Sequence, residues 1–127
     1  MRALVIDDSR AMRRIVGRIL EDFGYEVRQA GDGRQALDVL EEGWEPDLCC
    51  IDWNMPVMDG LQFVVAVRGN PAHRQVTLMM VTTESETGQI VKALAAGAHE
   101  YLIKPFTADA LRDKLALLGL LPEGVSA

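Results

Sequence analysis

The chain has 127 residues, of which 49% are hydrophobic and 25% charged, the proportions of a globular domain with a core rather than of a disordered or fibrous chain. Lys and Arg number 13 against 19 Asp and Glu, a formal charge of −6, which argues against nucleic-acid binding because affinity for a phosphate backbone rests on Lys and Arg. No apolar run approaches the roughly 20 residues that cross a bilayer, and the N-terminus turns acidic too early for a signal peptide, so a cytoplasmic protein without membrane contact is expected.

Ala3-Leu4-Val5-Ile6 is a short apolar run ending at Asp7 and predicts a first strand. Asp8 and Ser9 offer capping oxygens to a helix on which Met12, Ile15, Val16, Ile19, Leu20 and Phe23 recur at spacings of three and four, and Gly24 ends it. Residues 25–30 predict a second strand, followed by Asp32-Gly33 and a helix with Ala36, Leu37 and Leu40 inward. Residues 48–51 predict a third apolar strand ending at Asp52. Its adjacent Cys49 and Cys50 point to opposite faces, which makes them buried, unbridged thiols. After the loop 53–59, Gly60 opens a short helix carrying Leu61, Val64 and Val65, and Asn70-Pro71 breaks it. Residues 76–81 predict a fourth strand ending at Thr82; Ile90, Val91 and Leu94 mark a fourth helix, closed by Gly97. Residues 101–103 predict a fifth strand ending at Lys104-Pro105, and Leu111, Leu115 and Leu118 a last helix ended by Gly119.

Five strands thus alternate with five helices, and the central strands are apolar on both faces. That pattern predicts a parallel sheet covered on both sides, wound by right-handed crossovers into a doubly wound α/β sandwich. Neither a linker nor a repeat interrupts it. One domain over residues 1–119 is expected, with a C-terminal tail over 120–127.

The polar residues that matter stand where strands finish: Asp7 and Asp8, Asp52, Thr82 and Lys104. In open doubly wound sheets the carboxyl ends of strands converge on one crevice. Three carboxylates there resist ionising together unless cations relieve them. Lys104 is one such cation, and a hard divalent metal on oxygen ligands is the other, Mg²⁺ being favoured where few carboxylates are offered. Asp52 is then the candidate nucleophile of a phosphoryl transfer, since a carboxylate attacking phosphorus gives an acyl phosphate. Lys104 and the Thr82 hydroxyl are placed to neutralise the transferred oxygens.

Asp7-Asp8-Ser9, Asp52-Trp53-Asn54-Met55-Pro56-Val57-Met58-Asp59-Gly60, Val81-Thr82 and Lys104-Pro105-Phe106 together resemble the receiver domain of two-component response regulators, over residues 3–118. The Asp-Trp-Asn-Met-Pro loop, Tyr101 and Lys104-Pro105-Phe106-Thr107 look particularly like the chemotaxis members of that family. The resemblance implies the flavodoxin-like strand order 2-1-3-4-5. It implies that Asp52 is phosphorylated by a histidine kinase or phosphotransfer domain, and that Asp8, Asp52 and the backbone carbonyl of Asn54 bind Mg²⁺, with Asp7 acting through water. Lys104 would pair with the phosphoryl group while Thr82 and Tyr101 switch. The face of helix four, strand five and helix five would thereby change toward a downstream protein target, and the Lys104-Pro105 bond would be cis. The function implied is that of a monomeric single-domain regulator, not an enzyme acting on other molecules, that switches partner binding in chemotaxis. A phosphate sink, a phosphorelay shuttle and a receiver excised from a larger regulator are the alternatives.

Other classes fit less well. A haloacid-dehalogenase phosphatase would need Asp-x-Asp after strand one and a cap domain, whereas Asp7 and Asp8 are adjacent. A flavodoxin would need a Ser/Thr/Gly-rich phosphate loop where this chain is acidic. Arg10, Arg14 and Arg18, with Arg13 beside them, read either as a solvated face or as a docking face for an acidic helix bundle. Thr83 is bulkier than the Ala common there in receivers and narrows access to the phosphoryl site. Trp53 is expected to be partly exposed, Trp44 to pack under a loop, and His73 and His99 to bind no metal.

Overall fold

The computed structural model of the chain describes residues 1–122 and, of residues 84, 86 and 87, the backbone only. Five parallel strands, β1 (Arg2–Ile6), β2 (Glu26–Ala30), β3 (Leu48–Asp52), β4 (Thr77–Thr83) and β5 (Glu100–Lys104), form one sheet in the order β2-β1-β3-β4-β5. The helices are α1 (Arg10–Asp22), α2 (Gly33–Glu41), α3 (Gly60–Arg68), α4 (Ile90–Ala96) and α5 (Ala108–Leu117).

Alternation along the strands divides the core in two. Leu4, Ile6, Cys49, Ile51, Leu78 and Met80 face α2, α3 and α4. Ala3, Val5, Leu48, Cys50, Met79 and Val81 face α1 and α5. Cys49 and Cys50 accordingly lie in different layers, both buried and free, and burial pushes the Cys50 thiol up to about 12. α1, α2, α3 and α5 each start on a side-chain cap: Ser9 Oγ accepts from the N–H of Met12, Asp32 from Gln35, and Thr107 from Ala110, while Asp59 and Gln62 close a reciprocal capping box; α4 starts without one. No helix among the described residues is long and apolar enough to cross a membrane.

The inward faces of two helices differ from the apolar residues that mark them. On α3 the buried side chains are Phe63, Val64 and Val67, and Val65 is 55% exposed. On α4 they are Ile90 and Ala93, while Val91 is 72% exposed and Leu94 39%. In helices of two turns almost every residue is apolar, so composition does not set the rotational phase; the small Ala93 decides it on α4 by letting the helix approach closely. A 3-10 turn over Glu84–Gln89 leads into α4, and another over Pro71–His73 follows α3. Tyr25 stands outside β2, buried, with its hydroxyl donating to the Leu120 carbonyl. Leu120 and Leu121 pack on the α1/α5 layer, so the first residues of the expected tail lie against the core; residues 123–127 lie outside the described residues. Trp44 is buried, with the guanidinium groups of Arg2 and Arg28 at 5.5 and 4.9 Å from its ring centroid.

Arg68, in the last turn of α3, ties the lower end of this layer together. Its guanidinium donates to the carbonyls of Gly97 at 2.9 Å and Val76 at 2.6 Å, and lies 3.2 Å from His99 Nδ1. Gly97 takes φ +122°, and a Cβ there would come within 2.4 Å of the Arg68 side chain, so this turn requires glycine twice over. His99 Nδ1 also accepts the N–H of Leu78 at 3.1 Å. An imidazolium has no lone pair to accept with, and its charge would face the Arg68 guanidinium. Burial and Arg68 together hold the His99 pKa below its ordinary 6.5. The unfolded chain therefore takes the proton first, and folding stability held above pH 6.5 falls as the pH drops through the unfolded and then the folded value. Urea titrations between pH 7.5 and 5 will show the stability of the parent relative to His99→Gln declining as the pH drops, a difference in which the other titrating groups cancel; a constant difference would refute it.

Candidate functional site

The acidic crevice is built by where strands stop. β1 ends at Ile6 and β3 at Asp52, so Asp7, Asp8 and Asp52 crowd the same edge of the sheet, and carboxylate oxygens of all three lie within 4.8 Å of one another. Asp7 is held from both sides: its Oδ1 accepts the Ser9 N–H at 2.8 Å, and its carbonyl accepts Arg13 Nη1 at 2.6 Å. Arg13 is thus part of the scaffold beneath the crevice, whereas Arg10, Arg14 and Arg18 are exposed. Its position on α1 gave no sequence signal separating it from its three neighbours.

Lys104 closes β5 two strands from Asp52, and its ammonium donates to Asp52 Oδ1 and to Asp7 Oδ2, each at 3.1 Å. The three side chains are 16%, 10% and 6% exposed respectively, so this bridge is poorly screened. Burial pulls the Lys104 ammonium down, but the charges and hydrogen bonds of Asp52 and Asp7 outweigh it and hold it above its ordinary range. For Asp52 the balance goes the other way. Burial and the charge of Asp7 push its carboxyl up against the pull of Lys104, with Asp8 adding to the rise, to about 6. One ammonium does not compensate three carboxylates. The deficit, and the all-oxygen donor set, suit a hard divalent cation such as Mg²⁺, and Asp8, the exposed member, is open to solvent.

Thr82 is buried beside this edge: β4 runs on past Val81, the register partner of Asp52. Thr83 follows as the register partner of Lys104, exposed, with its hydroxyl 2.9 Å from Ser85 Oγ. It lines, with Lys104, Met12, Ile15 and Phe106, a shallow groove of about 400 Å³. Asn54 is exposed in the loop after β3, and Trp53 is half-buried. Tyr101 does not join the carboxylates; it is paired in register with Met80 and packs against the α2–α4 layer. The Lys104-Pro105 bond is cis. Neither His73 nor His99 belongs to the carboxylate cluster.

The loop from Asp52 to α3 returns so tightly that the Gly60 N–H donates to the Trp53 carbonyl at 3.0 Å. A Cβ at Gly60 would lie 2.5 Å from the Asp52 carbonyl oxygen and 3.2 Å from Trp53 Cα, both backbone atoms that cannot turn aside. Gly60→Ala will therefore displace the end of β3, costing about 1–3 kcal/mol as other overpacked sites do and weakening divalent-metal affinity. Urea denaturation and a Mg²⁺ titration check both; an unchanged affinity would show that Asp52 does not depend on this contact.

Comparison with known proteins places this geometry. The model of the response regulator receiver domain family matches residues 3–116. The chemotaxis protein CheY1 of Helicobacter pylori is 39% identical over 119 residues, covering 93% of this chain and 96% of that protein. The chemotaxis protein CheY of Pseudomonas aeruginosa is 40% identical over 116 residues, 91% of this chain and 93% of that one. Among solved structures, CheY4 of Vibrio cholerae superposes with a TM-score of 0.83 at 38% identity, covering 92% of this chain and 97% of that one.

Proposed function

The chain belongs to the response regulator receiver domain family, as a CheY-like receiver of two-component signalling, and from that premise we propose that Asp52 accepts a phosphoryl group from the phosphohistidine of a kinase or phosphotransfer domain. An Asp52 carboxylate oxygen attacks phosphorus, the P–N bond breaks with its electron pair passing to the donor imidazole, and an acyl phosphate forms. The observation that carries this reading is the Lys104 ammonium standing 3.1 Å from both Asp52 and Asp7. A cation already fixed beside the nucleophile neutralises the phosphoryl oxygens without reorganising. Thr82, at the end of β4, supplies a hydroxyl to the same oxygens. Asp8, Asp52 and the backbone carbonyl of Asn54 would hold Mg²⁺, with Asp7 acting through water, and the ion would supply the second positive charge that the transferred group requires.

On phosphorylation Thr82 and Tyr101 move, and the surface of α4, β5 and α5 changes toward a downstream protein, in the cytoplasm and in chemotaxis. The exposed Val91 and Leu94 on α4 support the reading that a protein covers this face. Incubation with acetyl phosphate and Mg²⁺ will add one labile phosphoryl group to the intact mass, with acetate leaving, and EDTA will prevent it. No adduct with Mg²⁺ present would overturn the reading.

A further inference from the structure

Glu100 opens β5 immediately before Tyr101, and Lys114 lies in the last turn of α5. The Lys114 ammonium stands 2.9 Å from Glu100 Oε1 and 4.5 Å from the centroid of the Tyr101 ring. The same Oε1 accepts the backbone N–H of Tyr101 at 2.9 Å. Three interactions therefore close a small circuit: the strand's own amide orients the carboxylate, the carboxylate orients the ammonium, and the ammonium rests on the ring.

This pair is unlike the chain's ordinary surface pairs. Its side chains are 21% and 25% exposed, against 70% and 81% for Asp22 and Arg18. An ammonium this sheltered is attracted to an aromatic face more strongly than one in open water. Burial pushes the Glu100 carboxyl up, but the Lys114 hydrogen bond, the Tyr101 amide and the Lys114 charge prevail and keep it below the usual carboxylate range. A turn of the Tyr101 side chain away from this place would strip the ammonium of one of its two partners while the backbone bond to Glu100 stayed closed.

We infer that Glu100 and Lys114 form a clasp that holds the Tyr101 ring where it stands, and so act as a brake on the switch. The inference rests on the movement of Tyr101 proposed above. Glu100 is a positioning residue in this device: it acts on Tyr101 only through the ammonium and the amide that it holds.

The test uses the full chain and beryllofluoride with Mg²⁺ as the phosphoryl mimic, followed by NMR. The Lys114 ε-methylene protons, shielded by the ring, will resonate upfield of those of Lys92, and in Glu100→Gln they will move back toward the Lys92 position. The half-saturating beryllofluoride concentration will fall about two- to fivefold in Glu100→Gln and in Lys114→Met, the range that an exposed to half-sheltered cation–ring contact spans. The double variant will fall no further, because each single change already opens the same circuit. Unchanged Lys114 signals and an unchanged titration in Glu100→Gln overturn the clasp, as does a double variant in which the two effects multiply. A parent that binds no beryllofluoride overturns the reading of the acidic site itself, a failure distinct from the first because the Lys114 signals are read without the mimic.

Discussion

Asp52→Asn will take up no phosphoryl group from acetyl phosphate and yet, at pH 7 without divalent metal, will unfold several degrees above the parent. The loss of uptake follows from removing the nucleophile. The gain in stability follows from what holds that nucleophile. Burial and the Asp7 charge push the Asp52 carboxyl from its ordinary 3.8 to about 6, so between these values the folded chain binds the proton more tightly than the unfolded one. Stability therefore falls as the pH rises through that window, and the full cost is present above it. At 1.36 kcal/mol per pKa unit, discounted for the water that reaches the crevice, the cost is about 1–2 kcal/mol, or roughly 3–8 °C in a domain of this size. Thermal melts at pH 7 and pH 4.5 check it: the two proteins will differ at the higher pH and converge at the lower one. Mg²⁺ will raise the melting temperature of the parent and leave the variant almost unmoved. A variant less stable than the parent at pH 7 would mean that the Lys104 bridge outweighs the crowding of carboxylates.

Lys104→Met will lose both stability and phosphoryl uptake. Its ammonium is the described cation that donates to both Asp52 and Asp7, and without it two poorly exposed carboxylates face each other beside Asp8. Removing one partner of a buried ion pair costs several kcal/mol when the other must stay charged. Here Asp52 can protonate instead, and the net loss at pH 7 is about 2 kcal/mol. The same escape makes the variant diagnostic: lowering the pH to 5, or adding Mg²⁺, will recover most of the lost stability. Phosphoryl uptake will fall roughly 100-fold, the usual consequence of deleting one fixed group that stabilises developing charge, and acid will not restore it. Urea titrations at the two pH values and the rate of adduct formation separate these effects. Equal losses at pH 5 and pH 7 would show that Lys104 supports the fold by packing its stem rather than by its charge.

Much of this was legible in the chain. The continuous apolar runs that end at Asp7, Asp52, Thr82 and Lys104 announce strands buried on both faces, and in a parallel sheet such strands must deliver their last residues to one edge. That is why residues 97 positions apart, Asp7 and Lys104, meet in one crevice. The opposite facing of Cys49 and Cys50 follows from the period of two with equal force. The strand order came from the resemblance to receivers, since periodicity alone does not say which strand lies beside which.

What the chain left open concerns phase and reach. Val65, Val91 and Leu94 are apolar and yet exposed, because a helix of two turns has too few polar residues to mark its outer side and its rotation is set by how closely small residues such as Ala93 pack. Arg13, Arg68 and Lys114 look like surface cations in sequence. In the fold one grips the Asp7 carbonyl, one gathers the Gly97 and Val76 carbonyls, and one rests on Tyr101. Long flexible side chains bond to whatever the topology brings within their reach, and those partners lie on other elements, distant or unmarked along the chain. The sequence by itself thus determined the layered fold and the carboxylate edge, through short-range periodicities that each element carries alone. Tertiary structure decided the charge balance at Asp52, the faces of α3 and α4, and the clasp on Tyr101, because each of these exists only between elements.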